Sequence, residues 1–311
     1  MSGEAGRSGG AARSWRGVWR WAHALSLDVT LGAVGLSGAV ARAWGAPQTS
    51  AVAWALGAAT LSIYSVDHLL DLRRAQARCE RVGVEPTAGV SARRQAHLRA
   101  RPLLRALALT CALAGVALLP LLPPPLLALG LTLGALCALY LLWAQRGGAG
   151  APLKPWLVTV GYAAGVSLAG VSGRVWGAEL TLAPSLSELS PTSGLSPISG
   201  LPPISGLPPI WTGLTATALA ALCAGLNVLV LSRHEAGGAR AVALGDRVAG
   251  VALVGALGAL LSPARSLLSP LALPPLALAA LWWSPRWSSQ RDRYRLLGDA
   301  ALCLSWVFMA L

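Results

Sequence analysis

The chain has 311 residues, of which 55% are hydrophobic and only 12% charged. A soluble domain carries about 25% charged residues and roughly 45–50% apolar ones, so an ordinary water-soluble enzyme is excluded before any motif is read. Twenty-five basic residues against twelve acidic ones give a net charge of +13. In so apolar a chain that excess reflects loops facing anionic headgroups or a nucleic-acid surface, and the positions of the arginines decide which.

Residues 1–20 read as a polar, Gly/Arg-rich tail, disordered and cytoplasmic. About 20 apolar residues cross the hydrocarbon core. Nine segments meet or approach that length: 22–43, 51–70, 103–120, 124–143, 156–173, 210–231, 242–262, 266–283 and 296–311. The expected fold class is therefore all-α: a polytopic membrane bundle of about nine transmembrane helices forming a single domain over 21–311. No small-residue cleavage pattern follows the first apolar run, which is taken as a retained span and not a signal peptide. Many of the spans are rich in Gly and Ala, which suits close helix packing in lipid.

The basic residues test this count. With the N-terminus in the cytoplasm, the tail, the even-numbered loops and their flanks hold 22 of the 25. Only Arg42, Arg174 and Arg265 fall on the other side. Gaining or losing a span in the middle would destroy this asymmetry, so the positive-inside rule supports a cytoplasmic N-terminus and a C-terminus on the opposite side. The basic excess is topological, and no nucleic-acid partner is expected. The five cysteines have no zinc, redox or disulfide spacing and read as small apolar side chains. The longest external segment, about 177–209, holds seven of the 21 prolines and a repeat, Gly-Leu-Ser/Pro-Pro-Ile-Ser at Gly194 and Gly200, with a third copy from Gly206 that stops at Ile210. Such proline density predicts an extended linker.

Ionisable groups at membrane depth cost roughly 2.5–3.5 kcal/mol on insertion scales, so each needs a reason. Six of the twelve acidic residues sit in or at the edges of spans: Asp28, Asp67, Asp71, Glu235, Asp246 and Asp299. Asp67 and Asp71 are four apart, and on a continued helix they share one face. Two such carboxylates suit an oxygen-ligated Mg²⁺ that completes its shell with water and phosphate. Arg73 and Arg74 follow and can neutralise phosphate; the alternative is that the two carboxylates merely pair with Arg74 and Arg78. Asn227 and Glu235 close the sixth span on the same cytoplasmic side, with His234 between them as a ligand, a base or a solvated helix-end residue. Asp28 reads either as a polar partner inside the bundle or as a helix-end acceptor. Asp299 has a local partner in Arg295. Asp246 and Arg247 mark the start of the seventh span. Lys154, the only lysine, precedes the fifth span, and Tyr162 lies two turns into it.

Taken together, these residues resemble the UbiA-type intramembrane prenyltransferase superfamily, as a divergent member with reduced motifs. That family has nine helices and two Asp-rich cytoplasmic motifs, N-D-x-x-x-D-x-x-x-D after helix 2 and D-x-x-x-D after helix 6. Val66-Asp67-His-Leu-Leu-Asp71-Leu-Arg-Arg-Ala75 matches two of the first three carboxylates, with Val66 for the Asn and Ala75 for the last Asp. Glu235 matches one position of the second motif, and Ala239 stands at the other. Tyr64–Asp71 and Tyr294–Leu302 are similar to a bacterial branch of the superfamily.

The resemblance implies alkyl transfer from a prenyl diphosphate to a membrane-associated acceptor, a quinone, tetrapyrrole or lipid precursor, in the bacterial inner membrane. It assigns Asp67, Asp71 and Glu235 as catalytic residues and ligands of Mg²⁺. Asn227, Lys154, Arg74 and Tyr162 are its substrate-binding residues. Two further readings stay open: a catalytically inactive homologue that binds an isoprenoid lipid or a protein partner, and an unrelated transporter. Spans 1–4 and 5–8 show no convincing internal similarity of the kind transporters carry.

The arginine bias generates a topology prediction. Alkaline phosphatase fused after residue 195 is expected to be active and the same reporter fused after residue 148 inactive; equal activity at both positions would overturn the orientation.

Overall fold

The computed structural model describes residues 21–46, 48–83, 97–145, 154–182, 209–236, 239–284 and 291–305. Among these, nine α-helices of at least 12 residues follow one another: α1 Leu27–Ala43, α2 Ser50–Val82, α3 Arg101–Leu118, α4 Pro124–Gln145, α5 Lys154–Leu182, α6 Pro209–Ala236, α7 Ala239–Leu261, α8 Arg265–Trp283 and α9 Arg291–Leu302. No strand occurs among the described residues. The tail 1–20 and residues 183–208 of the expected linker lie outside them; α5 is helical as far as Leu182.

Five helices are long and apolar enough to cross a membrane by themselves, over Arg101–Leu121, Pro124–Trp143, Ile210–Val230, Val242–Leu261 and Arg265–Trp283. The remaining four do not meet that standard, each for a visible reason. Helix α1 has only 17 residues. Helix α2 carries Thr60, Ser62, Tyr64, Ser65 and Asp67 through its middle. Helix α5 has Lys154, Thr159, Tyr162 and Ser167 in its first half, and α9 is short and opens on Arg291-Asp292-Arg293.

Local chemistry explains most boundaries. Thr49 caps α2, its hydroxyl accepting from the Val52 amide at 3.4 Å, and Gly83 ends it at φ 66°. The helix runs 33 residues, about 50 Å, well past a hydrocarbon core of about 30 Å. The apolar run stops near residue 70 because charge begins there, not because the helix stops. Leu119–Leu121 form a 3₁₀ turn that ends α3, and Pro123 to Pro125 restart the chain as α4. Pro270, Pro274 and Pro275 sit inside α8 without breaking it, as neighbouring helices in a bundle permit.

Helix α1 is the centre, packed against α2, α5, α6, α8 and α9. Leu36, Ala39, Val40 and Ala43 are buried in the main core with Leu219, Leu226, Leu271 and Leu278. Small residues admit two tryptophans. Trp44 lies where a Cβ on Gly213 would overlap its ring, and donates through Nε1 to Thr217 Oγ1 at 3.1 Å. Trp282 fills the space left by Gly245 and donates to Asp246 Oδ1 at 2.8 Å, which gives Asp246 its structural role. All five cysteines are free, with Cys223 fully buried.

Helix α2 pairs with α3, and α4 with α5, whereas α2 barely touches α4 or α5. The bundle is therefore open between these two pairs, with α1 behind. Outward-facing Leu109 and Leu113 on α3, and Leu139 and Leu142 on α4, are exposed, as lipid-facing side chains are.

Close approach at Gly245 makes it a sensitive position. Gly245→Ala is expected to cost about 1–3 kcal/mol by overpacking against the Trp282 ring. Gly258→Ala on the same helix meets nothing within 4 Å and is expected to stabilise by up to about 1 kcal/mol. Thermal melts of the two variants in detergent, moving in opposite directions, check both.

Candidate functional site: a two-ended cavity in the bundle

The gap between the helix pairs is a cavity of about 1150 Å³. It follows α2 from Val52 to Asp71, a length of about 28 Å at 1.5 Å per residue. Its two ends differ in chemistry. Near the start of α2 the walls are Val52, Leu56, Leu122, Leu126 and Ala169. Near the Arg-rich end they are Asp67, His68, Asp71, His97, Tyr140 and Asn227. Three of the chain's four tyrosines, Tyr64, Tyr140 and Tyr162, line it. The Tyr140 and Tyr162 hydroxyls are buried without a hydrogen-bond partner among the described residues.

The continuous helix α2 brings Asp67 and Asp71 to this cavity one turn apart. Asp71 is exposed at the mouth and pairs with Arg74 at 3.1 Å, one half of the local pairing that the spacing allowed. Arg74 reaches the mouth only through that pair and is not part of the wall. Tyr162 and Asn227 line the cavity, Asn227 from α6. Lys154 and Glu235 lie on described helical backbone, at the start of α5 and near the end of α6, but their side chains fall outside the description. His234 does so as well.

Other residues of the site have weak sequence signals. His68 stacks on His97, ring centroids 4.4 Å apart, with Tyr64 edge-on at 6.4 Å. His68 Nε2 shares a 2.8 Å hydrogen bond with Ser26 Oγ. Ser26 stands at φ 57°, ψ 26°, a left-handed conformation that costs a non-glycine residue roughly 1–2 kcal/mol. It is the turn that sends the chain from residues 21–24 into α1.

That turn also returns His23 onto two helices. His23 Nδ1 lies 2.8 Å from Asp28 Oδ2 and 3.1 Å from Asp299 Oδ2. Asn227 Nδ2 donates to Asp299 Oδ1 at 3.3 Å. Asp28 Oδ1 also accepts from the Val29 amide at 2.9 Å, so Asp28 is both helix-end acceptor and bundle partner. Asp299 is only 3% exposed and its carboxylate meets His23 and Asn227 inside the bundle, while the side chain of Arg295, its expected partner, lies outside the description. His23 escaped the sequence reading because it stands alone at the first turn of an apolar run; its i+5 spacing to Asp28 was the available clue.

Comparison with protein-family models, with curated proteins and with solved structures finds no match.

Burial separates the two kinds of ion pair. Asp299→Ala removes a buried carboxylate, leaving the buried Asn227 amide without its acceptor and half-buried His23 with Asp28 alone, and is expected to cost about 1–3 kcal/mol. Asp71→Ala, at a side chain 52% exposed, is expected to cost under about 1 kcal/mol. Melting temperatures of the purified variants test the ranking.

Proposed function

We propose that the protein is an integral membrane prenyltransferase, moving an isoprenoid chain from a prenyl diphosphate to a lipophilic acceptor, a quinone, tetrapyrrole or lipid precursor. It acts in the bacterial inner membrane, N-terminus cytoplasmic and C-terminus opposite, with all nine helices embedded. Helix α1 needs little lipid-facing apolarity for this, because its neighbours cover it. The two-ended cavity carries the reading: an apolar channel long enough for an extended isoprenoid tail leads to a mouth with carboxylates.

Asp67 and Asp71 fit Mg²⁺ by the chemistry of the donor set. Both offer hard oxygen, they stand one helical turn apart in one wall, and Mg²⁺ commonly takes one or two carboxylates with water and phosphate oxygens completing its shell. Glu235 is the third oxygen ligand that the motif resemblance adds. When bound, Mg²⁺ offsets the charge of the departing pyrophosphate. Arg74 and Lys154 hold the phosphates from the cytoplasmic side, with Asn227 and the Tyr162 hydroxyl as polar contacts deeper in.

The allylic carbon–oxygen bond breaks with its electron pair leaving on pyrophosphate. The acceptor then bonds to the allylic carbon and gives up a proton, for which His68 and Asp67 are the bases at the mouth. The faces of Tyr64, Tyr140 and Tyr162 suit an allylic cation, and the surrounding apolar side chains keep water from it.

The Asp71–Arg74 pair, with Ala75 and Ala239 at motif positions, favours a second reading in which the cavity holds an isoprenoid lipid without transfer. Incubating the purified protein with labelled prenyl diphosphates, Mg²⁺ and lipid extract separates the two. Transfer with pyrophosphate release, reduced about 100-fold or more in Asp67→Ala, is the expected result. Retention of an isoprenoid lipid with no release, unchanged in Asp67→Ala, would instead establish the second reading.

A further inference from the structure

Two carboxylates converge on one histidine nitrogen beside the cavity, and hydrogen bonding alone balances this arrangement poorly. Asp28 and Asp299 are 1% and 3% exposed. Among the side chains described no Lys or Arg forms an ion pair with either; that of Arg295, one turn before Asp299, lies outside the description. His23 can offset at most one negative charge, so with both carboxylates ionised the described cluster carries an excess that a cation would offset.

The spacing suits another occupant. One ligand atom each from His23, Asp28 and Asp299 falls within 4.8 Å of the others. The nitrogen-to-oxygen separations of 2.8 and 3.1 Å match neighbouring corners of an octahedron, which lie about 3.0 Å apart for metal–ligand bonds of about 2.1 Å.

A separate observation points the same way. Asn227, 6% exposed, directs its amide at Asp299 through Nδ2, yet its carbonyl Oδ1 is buried with no hydrogen-bond partner among the described residues. Oxygen and nitrogen of an amide exchange places by a half-turn of the side chain. Turned over, Asn227 presents its carbonyl to the cluster as a fourth ligand atom for a cation held there.

We infer that His23, Asp28, Asp299 and Asn227 form a binding site for a divalent first-row transition ion. One imidazole with carboxylate and amide oxygens is a mixed donor set that favours Mn²⁺, Fe²⁺, Co²⁺ or Zn²⁺ over the all-oxygen preference of Mg²⁺. The site is built from the 21–24 turn and from α1, α6 and α9; it shares Asn227 with the polar end of the cavity but uses neither Asp67 nor Asp71. His23, Asn227 and Asp299 line the cavity while Asp28 stands behind them, so the remaining coordination positions open toward whatever the cavity holds.

The test uses the full-length protein in detergent, stripped with chelator and titrated with MnCl₂ or CoCl₂. The expected result is about one tightly held ion per chain, a melting temperature that rises with the ion, and nitrogen coupling to bound Mn²⁺ in pulsed electron paramagnetic resonance. Affinity is expected to fall about tenfold or more in Asp299→Asn and His23→Gln, and to persist in the doubly substituted Asp67→Asn/Asp71→Asn. His23→Gln should also abolish the nitrogen coupling. No stoichiometric ion in the wild-type protein would overturn the inference, as would an ion without nitrogen coupling, coupling that survives His23→Gln, or binding lost only with Asp67 and Asp71. The wild-type measurements stand even if a substituted chain fails to fold. Because the Asp67/Asp71 variant is scored separately, loss of prenyl transfer and loss of this ion are distinguishable.

Discussion

A carboxylate that leaves water must find compensating charge or donors, and here two of them, on α1 and α9, meet at His23. The residues involved lie at opposite ends of the chain, and Asn227 joins them from α6. Ser26, twisted into the left-handed region just before α1, makes this possible by turning residues 21–24 back over the helix. The same serine holds His68 on α2. One polar knot thus ties the first turn of the central helix to three others. Its neighbours, Cys303 donating to the Asp28 carbonyl at 3.3 Å and Leu302 against Gly32, close the junction of α1 with α9.

Away from this knot, packing rests on size complementarity and not on charge. Glycines opposite Trp44 and Trp282 let the largest side chains lie against helix backbone, and each indole N–H finds an oxygen. On the other side of α1 the complementarity is withheld. Helix α2 leans on α3 and α4 leans on α5, with little contact between the pairs, and the cavity is the volume this leaves. Polar groups gather at one end of it because α1, α2 and α6 all present polar side chains at the end where the arginines lie.

Helix placement was largely legible. Each of the nine apolar segments overlaps a helix, since a chain crossing or packing within lipid must satisfy its backbone internally. The apolar run 51–70 marks only part of α2, and the helix continues through Asp71 and Arg74 to Val82, as a shared face for Asp67 and Asp71 required. Periodic apolarity reports what a helix touches and not where its hydrogen bonds stop. The carboxylate pair on α2 was visible as spacing, and so was the Asp71–Arg74 pairing that competes for it. What the sequence did not show for Asp299 is its contact with His23, which lies 276 positions away along the chain and comes near only through the packing of the helices.

The sequence by itself determined that this is an all-helical chain with helices apolar enough to cross a membrane, and where its charges could not be buried cheaply. Those follow from local composition, because transfer of a side chain or a peptide group into lipid is scored residue by residue. Only the tertiary structure decided that His23, Asp28, Asn227 and Asp299 share one point, that His68 reaches Ser26, and that the interior is hollow beside α2. These depend on which helix faces press together and which stay apart, and that choice is made by side-chain shapes brought from distant parts of the chain.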